Sequence, residues 1–288
     1  MFVAFSVWAW FALRYRINWR FRIAWLGIVI LSTTWFISLQ PSHARNWKPE
    51  VSVIPRIEIH GDRARITAYR DFIYRSRDDF DVRHHERELD LGKLKSVDLF
   101  ISYWNNGPMA HTFLSFGFED AEPVCVSIEA RPEIGERFGA LPGLLKRFEL
   151  FYVVGSERDI VRVRTNHRDE RVIMYRLLVS ETDARRLFEV YARQINRLAE
   201  VPEFYHLFRN NCTMNIVRNA EAAGRTSDFD FRMVLNGRVD HYLYEAGLIS
   251  QDLHFDALRE RAEITRIAQR AGNDSFSNDI RDGLPRMR

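Results

Sequence analysis

Cys212 is one of only two cysteines in a chain of 288 residues, and it stands in the run Phe208-Arg209-Asn210-Asn211-Cys212-Thr213-Met214-Asn215-Ile216-Val217. Asn210 or Asn211 suits a helix N-cap, because an Asn side chain accepts from the free N–H groups of a first turn. Cys212 then falls in that turn, where unpaired N–H groups and the helix dipole favour negative charge. A thiol there ionises near neutral pH, and the thiolate is the nucleophile. Spare N–H groups of the same turn could hold an oxyanion. The apolar helix positions are 216, 217, 220 and 223, and projecting back gives 213 rather than 212. The sulfur is therefore expected off the packed stripe. The competing reading is a buried cysteine acting as a small hydrophobe.

A thiol nucleophile needs a base, usually an imidazole. Of nine histidines, His111 stands out because it opens an apolar strand after a Gly-Pro turn. His60, His84, His85 and His254 sit among polar residues, and His167 and His206 are weaker rivals. A core histidine satisfied by one hydrogen bond is the plainer reading of His111. The third member should orient the ring. If 111–117 and 123–129 pair as a hairpin with a five-residue loop, His111 lies opposite Glu129, Phe113 opposite Ser127 and Ser115 opposite Cys125. A slip by one residue would flip the face. Glu129 could instead form a salt bridge with Arg131, and Cys125 could form a disulfide with Cys212.

The elements that must carry these residues follow from period. Residues 51–69 read as two strands around His60-Gly61-Asp62, a hairpin signal. The charge-dense stretch 78–95 reads as a solvated connection, and His84 and His85 lack metal-ligand spacing. From Val97, apolar strand patterns at 97–104, 110–118, 123–130, 148–155, 159–165 and 171–179 suggest an antiparallel meander. Then the period changes. Ser180 and Asp183 form a capping box. Ala184, Leu187, Phe188, Tyr191, Ile195 and Leu198 make an amphipathic helix stripe that Pro202 ends. A short helical piece over 202–208 leads to the Cys212 helix, which Gly224 stops. The last sixty residues read as helical and irregular, with a poorly ordered polar tail after Ser275. The class is α+β, an antiparallel sheet packed against helices. The organisation is a membrane anchor over 1–44, a catalytic domain with an N-terminal hairpin over 45–228, and a helical extension over 229–288.

The anchor rests on two apolar runs. Residues 2–13 are apolar and aromatic; Arg14, Arg16, Arg20 and Arg22 follow; residues 23–39 carry no charge. A spanning helix needs about twenty apolar residues, with about seventeen as the lower limit. The second run qualifies. The first is too short to span untilted. A cleaved signal peptide ending near Ala44 is the alternative. Positive charge flanking a span stays in the cytoplasm, so the rest of the chain is expected in a bacterial periplasm, tethered to the inner membrane. Forty-two basic against thirty-nine acidic residues give too balanced a charge for a nucleic-acid partner. No pattern for a metal or cofactor is present.

With Ala110–Phe116, Ser127–Glu133, Phe148–Arg168 and Phe208–Ile216 in view, the stretch from about Trp104 to Gly224 resembles the Lnb-type N-terminal periplasmic domain family, named for lipoprotein N-acylation. The order, His on an early strand and Cys on a later helix, is also similar to the circularly permuted papain-like enzymes of the NlpC and lecithin:retinol acyltransferase type. The resemblance implies a permuted papain-like fold, with Cys212 as nucleophile and His111 as base in acyl transfer or amide hydrolysis. Glu129 matches a polar position of the family strand. Thr165 and Asn166 match a family motif that a capped turn would explain. The N-acylating members carry a further C-terminal membrane region, whereas the apolar segments here are all N-terminal, so lipoprotein N-acylation itself is not implied. The leading expectation is an anchored thiol enzyme forming an acyl thioester from membrane lipid or lipoprotein. The alternatives are a cell-wall peptidase or amidase, and a non-catalytic envelope module with a Cys125–Cys212 disulfide.

Overall fold

The structure, a computed structural model, describes residues 18–104, 107–226, 230–234 and 236–284. Contacts divide the chain into two units, Met1–Pro41 and Ser42–Arg288. In the first, α1 spans Trp19–Ser38, with Asn18 capping through its side chain to the Arg20 N–H. Its twenty residues extend about 30 Å, the thickness of a hydrocarbon core. It is long and apolar enough to cross a membrane. The apolar run at residues 2–13 lies outside the described residues.

The second unit is built on an eight-stranded sheet. Its strands are β1 (Arg56–His60), β2 (Arg63–Arg70), β5 (His84–Asp90), β6 (Leu94–Tyr103), β7 (His111–Phe118), β8 (Val124–Arg131), β9 (Glu149–Gly155) and β10 (Arg171–Arg176); β3 (Ile73–Tyr74) and β4 (Phe80–Asp81) pair with each other. The order is β1-β2-β9-β8-β7-β6-β10, with β5 also on β2. Among the described residues every pairing is antiparallel except a single parallel contact, Arg70 to Gly155. Gly61 turns β1 into β2 at φ 63°, a left-handed conformation that suits glycine.

The helices cover both faces. On one side lies α4 (Glu181–Glu200), capped by Ser180, which accepts from the Asp183 N–H. Beside it lies α5 (Cys212–Ala222). Phe188, Tyr191 and Ile195 pack there against Leu99, Leu114, Phe116 and Val126. The opposite face holds Phe100, Phe113, Cys125 and Phe151. It is closed by Ile160 of α3 (Glu157–Ile160), Ala268 of α8 (Thr265–Arg270) and Phe276 of α9 (Phe276–Asp279). The remaining helices are α2 (Ala140–Leu144), α6 (Val239–Glu245) and α7 (Phe255–Arg261). Helices on both faces explain why β7 and β8 are buried along most of their length.

Four sequence expectations change. Residues 159–165 are not a strand. Ser156 caps α3 by accepting from the Asp159 N–H, and a π-helical turn follows over Val163–His167. The meander therefore stops at β9, and β10 returns to β6, with Arg171 opposite Tyr103 and Arg176 opposite Asp98. The stretch 78–95 is not a loop. Its charges are the outward face of β5, where Glu86 pairs with Arg65 of β2. Residues 202–208 form isolated bridges rather than a helix, because Tyr205 N–H donates to the Phe148 carbonyl beside β9. From Ser275 to Leu284 the chain is packed: Phe276 and Ile280 are buried and Arg281 pairs with Asp98 and Glu157, while the rest of the expected tail lies outside the described residues.

Candidate active site

Asn211 is the N-cap of α5, its Oδ1 accepting from the Met214 N–H at 2.9 Å. Its Nδ2 donates to the Leu207 carbonyl, which ties the approach loop to the helix. Cys212 is thereby the first helical residue. The expected stripe packs on the core through Thr213, Ile216, Ala220 and Ala223, but the inner face of α5 is wider than that stripe. It runs through Cys212, Asn215 and Asn219, all buried. The two asparagines are tolerated there because they are bonded: Asn215 to Asn210 and the Asn211 carbonyl, Asn219 to the Tyr152 hydroxyl. Cys212 thus lies on the packed face, only 4% exposed.

His111 is the first residue of β7, opposite Ser102 of β6. On its other side β7 and β8 pair Phe113 with Ser127 and Ser115 with Cys125. That register carries His111 to Glu129. The imidazole stacks on Phe113, ring centroids 5.6 Å apart. Its Nε2 lies 2.7 Å from Ser127 Oγ and 3.3 Å from Glu129 Oε1. Ser127 Oγ donates to Glu129 Oε1 at 2.6 Å. Since that hydroxyl proton is spent on the carboxylate, the oxygen accepts from His111, which assigns the ring proton to Nε2. Nδ1 is then the nitrogen left for the thiol.

Arg164 sets the carboxylate. It donates through Nη2 to Glu129 Oε1 at 2.7 Å and lies over the Phe113 ring at 4.7 Å. It belongs to the π-helical turn, and such turns redirect a side chain out of the α-helical repeat. Arg131 does not pair with Glu129. It donates to the Val51 and Ser52 carbonyls and sits between the rings of Trp47 and Phe151.

The sulfur has further neighbours. Asn236 Nδ2 donates to Cys212 Sγ at 3.4 Å. The amide cannot be turned round, because Asn236 Oδ1 accepts from the Ala110 N–H at 2.8 Å. Gly237 N–H donates to the Pro108 carbonyl, and a Cβ at Gly237 would stand 2.6 Å from that oxygen, so only glycine lets the two segments meet. Thr213 and Thr112 join hydroxyls at 2.7 Å, pinning α5 to β7.

These contacts set the charges. Burial alone would push the Cys212 thiol up. The positive His111 ring, with donation from the Thr112 backbone N–H and hydroxyl, outweighs burial and brings it to about 7. Burial alone would push the imidazole down. The Glu129 carboxylate and the Cys212 thiolate reverse this and raise it to about 9. Glu129 lies well below the usual carboxylate range: burial would raise it, but His111 and Arg164 hold it ionised. The arrangement favours a thiolate–imidazolium pair near neutral pH.

Cys125 and Cys212 are both free thiols. Cys125 lies under the opposite face of the sheet, among Phe113 and Phe151, so the disulfide considered between them is not formed. Burial keeps its thiol well above the usual range. Of the rival histidines, His206 accepts from the Phe208 and Arg209 N–H groups and His167 lies against Tyr74.

Sequence reasoning brought Cys212, His111 and Glu129 to one place but gave no role to Ser127, Arg164 or Asn236. Ser127 was legible as the alternate residue on the face of Glu129. Arg164 adjoins the Thr165-Asn166 motif. Asn236 carried no signal, for its partner Ala110 is 126 positions away.

The chain belongs to the Lnb N-terminal periplasmic domain family: the family model matches residues 81–237, more than half of the 288 residues. The match begins in β4 and ends just after Asn236, so it contains every side chain of the site. No curated protein and no solved structure is significantly similar to the chain.

Proposed function

We propose that the protein is a membrane-anchored, periplasm-facing thiol enzyme that carries an acyl group on Cys212. The supporting observation is the buried thiol held near neutral pKa beside an imidazole whose far nitrogen is fixed by Ser127 and Glu129. Cys212 Sγ attacks the carbonyl carbon of an ester. The Asn236 amide and the Thr112 N–H are the donors available to the oxyanion. On collapse, the C–O bond breaks and His111 gives its proton to the departing alkoxide, leaving a thioester. An amine or water then attacks the thioester with His111 taking its proton, and the thiolate leaves. Glu129 keeps the ring in the tautomer this needs. The His-before-Cys order and the Nδ1-to-thiol assignment support a permuted papain-like arrangement. The tether α1 favours acyl groups presented at the inner membrane, those of lipids or lipoproteins.

Incubating the full chain in detergent with acyl-labelled phospholipid tests this. The expected result is a hydroxylamine-labile mass increase of one acyl chain, absent from Cys212→Ala. An adduct of equal yield in Cys212→Ala would remove the sulfur from the reaction. Peptide cleavage without any acyl adduct would favour the cell-wall amidase reading.

A further inference from the structure

Glu129 lines a cavity of about 480 Å³, within the size range of small-molecule sites. Six cationic side chains line it against three carboxylates. Two of the six are committed within the fold. Arg70 grips Asp159 with two hydrogen bonds of 2.7 and 2.8 Å. Arg164 holds Glu129. The other four, Lys48, Arg77, Arg137 and Arg168, have no ion-pair partner among the described residues. Glu50 and Asp78 also face the cavity but stand beyond ion-pair distance of all four.

Arg168 is the sharpest case. Its Nε is buried with no hydrogen-bond partner. A buried donor left unmade costs free energy, and native folds retain few of them. Burial and the neighbouring Arg164 charge disfavour its charged form, and the nearby Glu170 and Glu129 carboxylates offset this only in part. An anion in the cavity would satisfy the donor and offset the repulsion together. Guanidinium groups match the oxygens of phosphate in a fixed fork. Four unpaired cations around one cavity exceed what a single carboxylate needs, whereas a phosphoryl group can accept from several at once.

We infer that this cavity is a phosphate-binding site that seats the phosphoryl group of an ester beside the Glu129–His111 pair. Binding itself does not depend on the thiol chemistry. Its role as the anchor of an acyl-donating phospholipid headgroup rests on the function proposed above. Glu129 belongs to both places: it lines the cavity and, with Ser127, holds His111.

The test uses the full chain in nonionic micelles as Cys212→Ala, so that binding is read apart from any reaction. Calorimetric titration compares inorganic phosphate, glycerophosphate, short-chain phosphatidylglycerol, the matching diacylglycerol and acetate. Phosphate carriers should bind and the diacylglycerol and acetate should not, with phosphatidylglycerol the tightest. Arg168→Gln should weaken that binding tenfold or more and Arg137→Gln should weaken it less. Since Arg168 makes no hydrogen bond or ion pair among the described residues and its burial outweighs its attraction to Glu170 and Glu129, Arg168→Gln should melt no lower than the parent, which separates lost binding from lost folding. Equal binding by Arg168→Gln and parent would overturn the site. Tighter binding of acetate would assign it to acidic peptide instead. Glycerophosphate binding as tightly as the lipid would leave a phosphate site and remove the headgroup role. If phosphate binds while the parent thiol forms no acyl adduct, the cavity stands and the thiol enzyme does not.

Discussion

Burial and neighbouring charge act in opposite directions on Cys212. Burial opposes the thiolate; His111 and Thr112 favour it and win. The Asn236 amide adds a donor that the structure orients through Ala110. Replacing Asn236 by Ala should raise the pH midpoint of Cys212 alkylation by about one to two units, since a hydrogen bond to a charged group contributes about 1.5–3 kcal/mol. Turnover should fall about a hundredfold, as for loss of one oxyanion donor. The midpoint is read from iodoacetamide labelling followed by peptide mass analysis. Glu129 acts in the opposite sense on the imidazole. A raised His111 pKa contributes stability that is present below the ordinary imidazole range and lost as pH rises through about 9. The depressed Glu129 pKa contributes stability present above the ordinary carboxylate range and lost as pH falls. In Glu129→Gln the alkaline limb of the pH–rate profile should therefore move down toward the ordinary imidazole value near 6.5. A limb unmoved in a pH-stat assay would show that Glu129 does not govern the ring.

Elements turn these residues toward one another, and here the sequence was informative unevenly. The β7–β8 register was legible because alternation on two short strands with a five-residue connection leaves few pairings. Helix α4 was legible because its cap, its stripe and Pro202 agree. The α5 face was legible only in part: Thr213, Ile216, Ala220 and Ala223 pack as the stripe predicts, but Cys212, Asn215 and Asn219 are buried beside them, the asparagine amides satisfied by partners that no local pattern reveals. The 159–165 segment alternates like a strand, yet the Ser156 cap and buried Asp159, gripped by Arg70, decide for a helix. That same segment delivers Arg164, which is why its role in the site could not be seen from alternation. Asn211→Ala should cost about 1 kcal/mol for the cap. Because the buried Leu207 carbonyl loses its donor too, the urea midpoint should drop further than for Ser180→Ala, whose lost bonds are both to exposed Asp183.

At the scale of the whole unit, the two faces of the sheet are held by chain far apart in sequence. Arg281 reaches back to Asp98 of β6 and Glu157 of α3, both fully buried carboxylates. Breaking a buried ion pair leaves an uncompensated charge at a cost of about 3–5 kcal/mol. Asp98 keeps Arg176 as a partner, so Arg281→Ala should fall near the lower end, read as the loss of unfolding free energy in urea. A stretch that reads as a polar tail thus closes the second core layer; composition showed its charge but not the two carboxylates waiting for it. Helix α1 should keep the full chain in the membrane pellet after alkaline carbonate washing. Release of most of it would mean that α1 is not a span.

The pH dependence of Cys212 alkylation, measured on the folded full chain beside His111→Ala and a urea-unfolded control, bears most directly on the ionised thiol. The parent should label with a midpoint near 7, and His111→Ala should shift well above the parent, because burial is then opposed only by the Thr112 and Asn236 donors. Coincident profiles for parent, variant and unfolded chain would contradict an activated thiolate at Cys212.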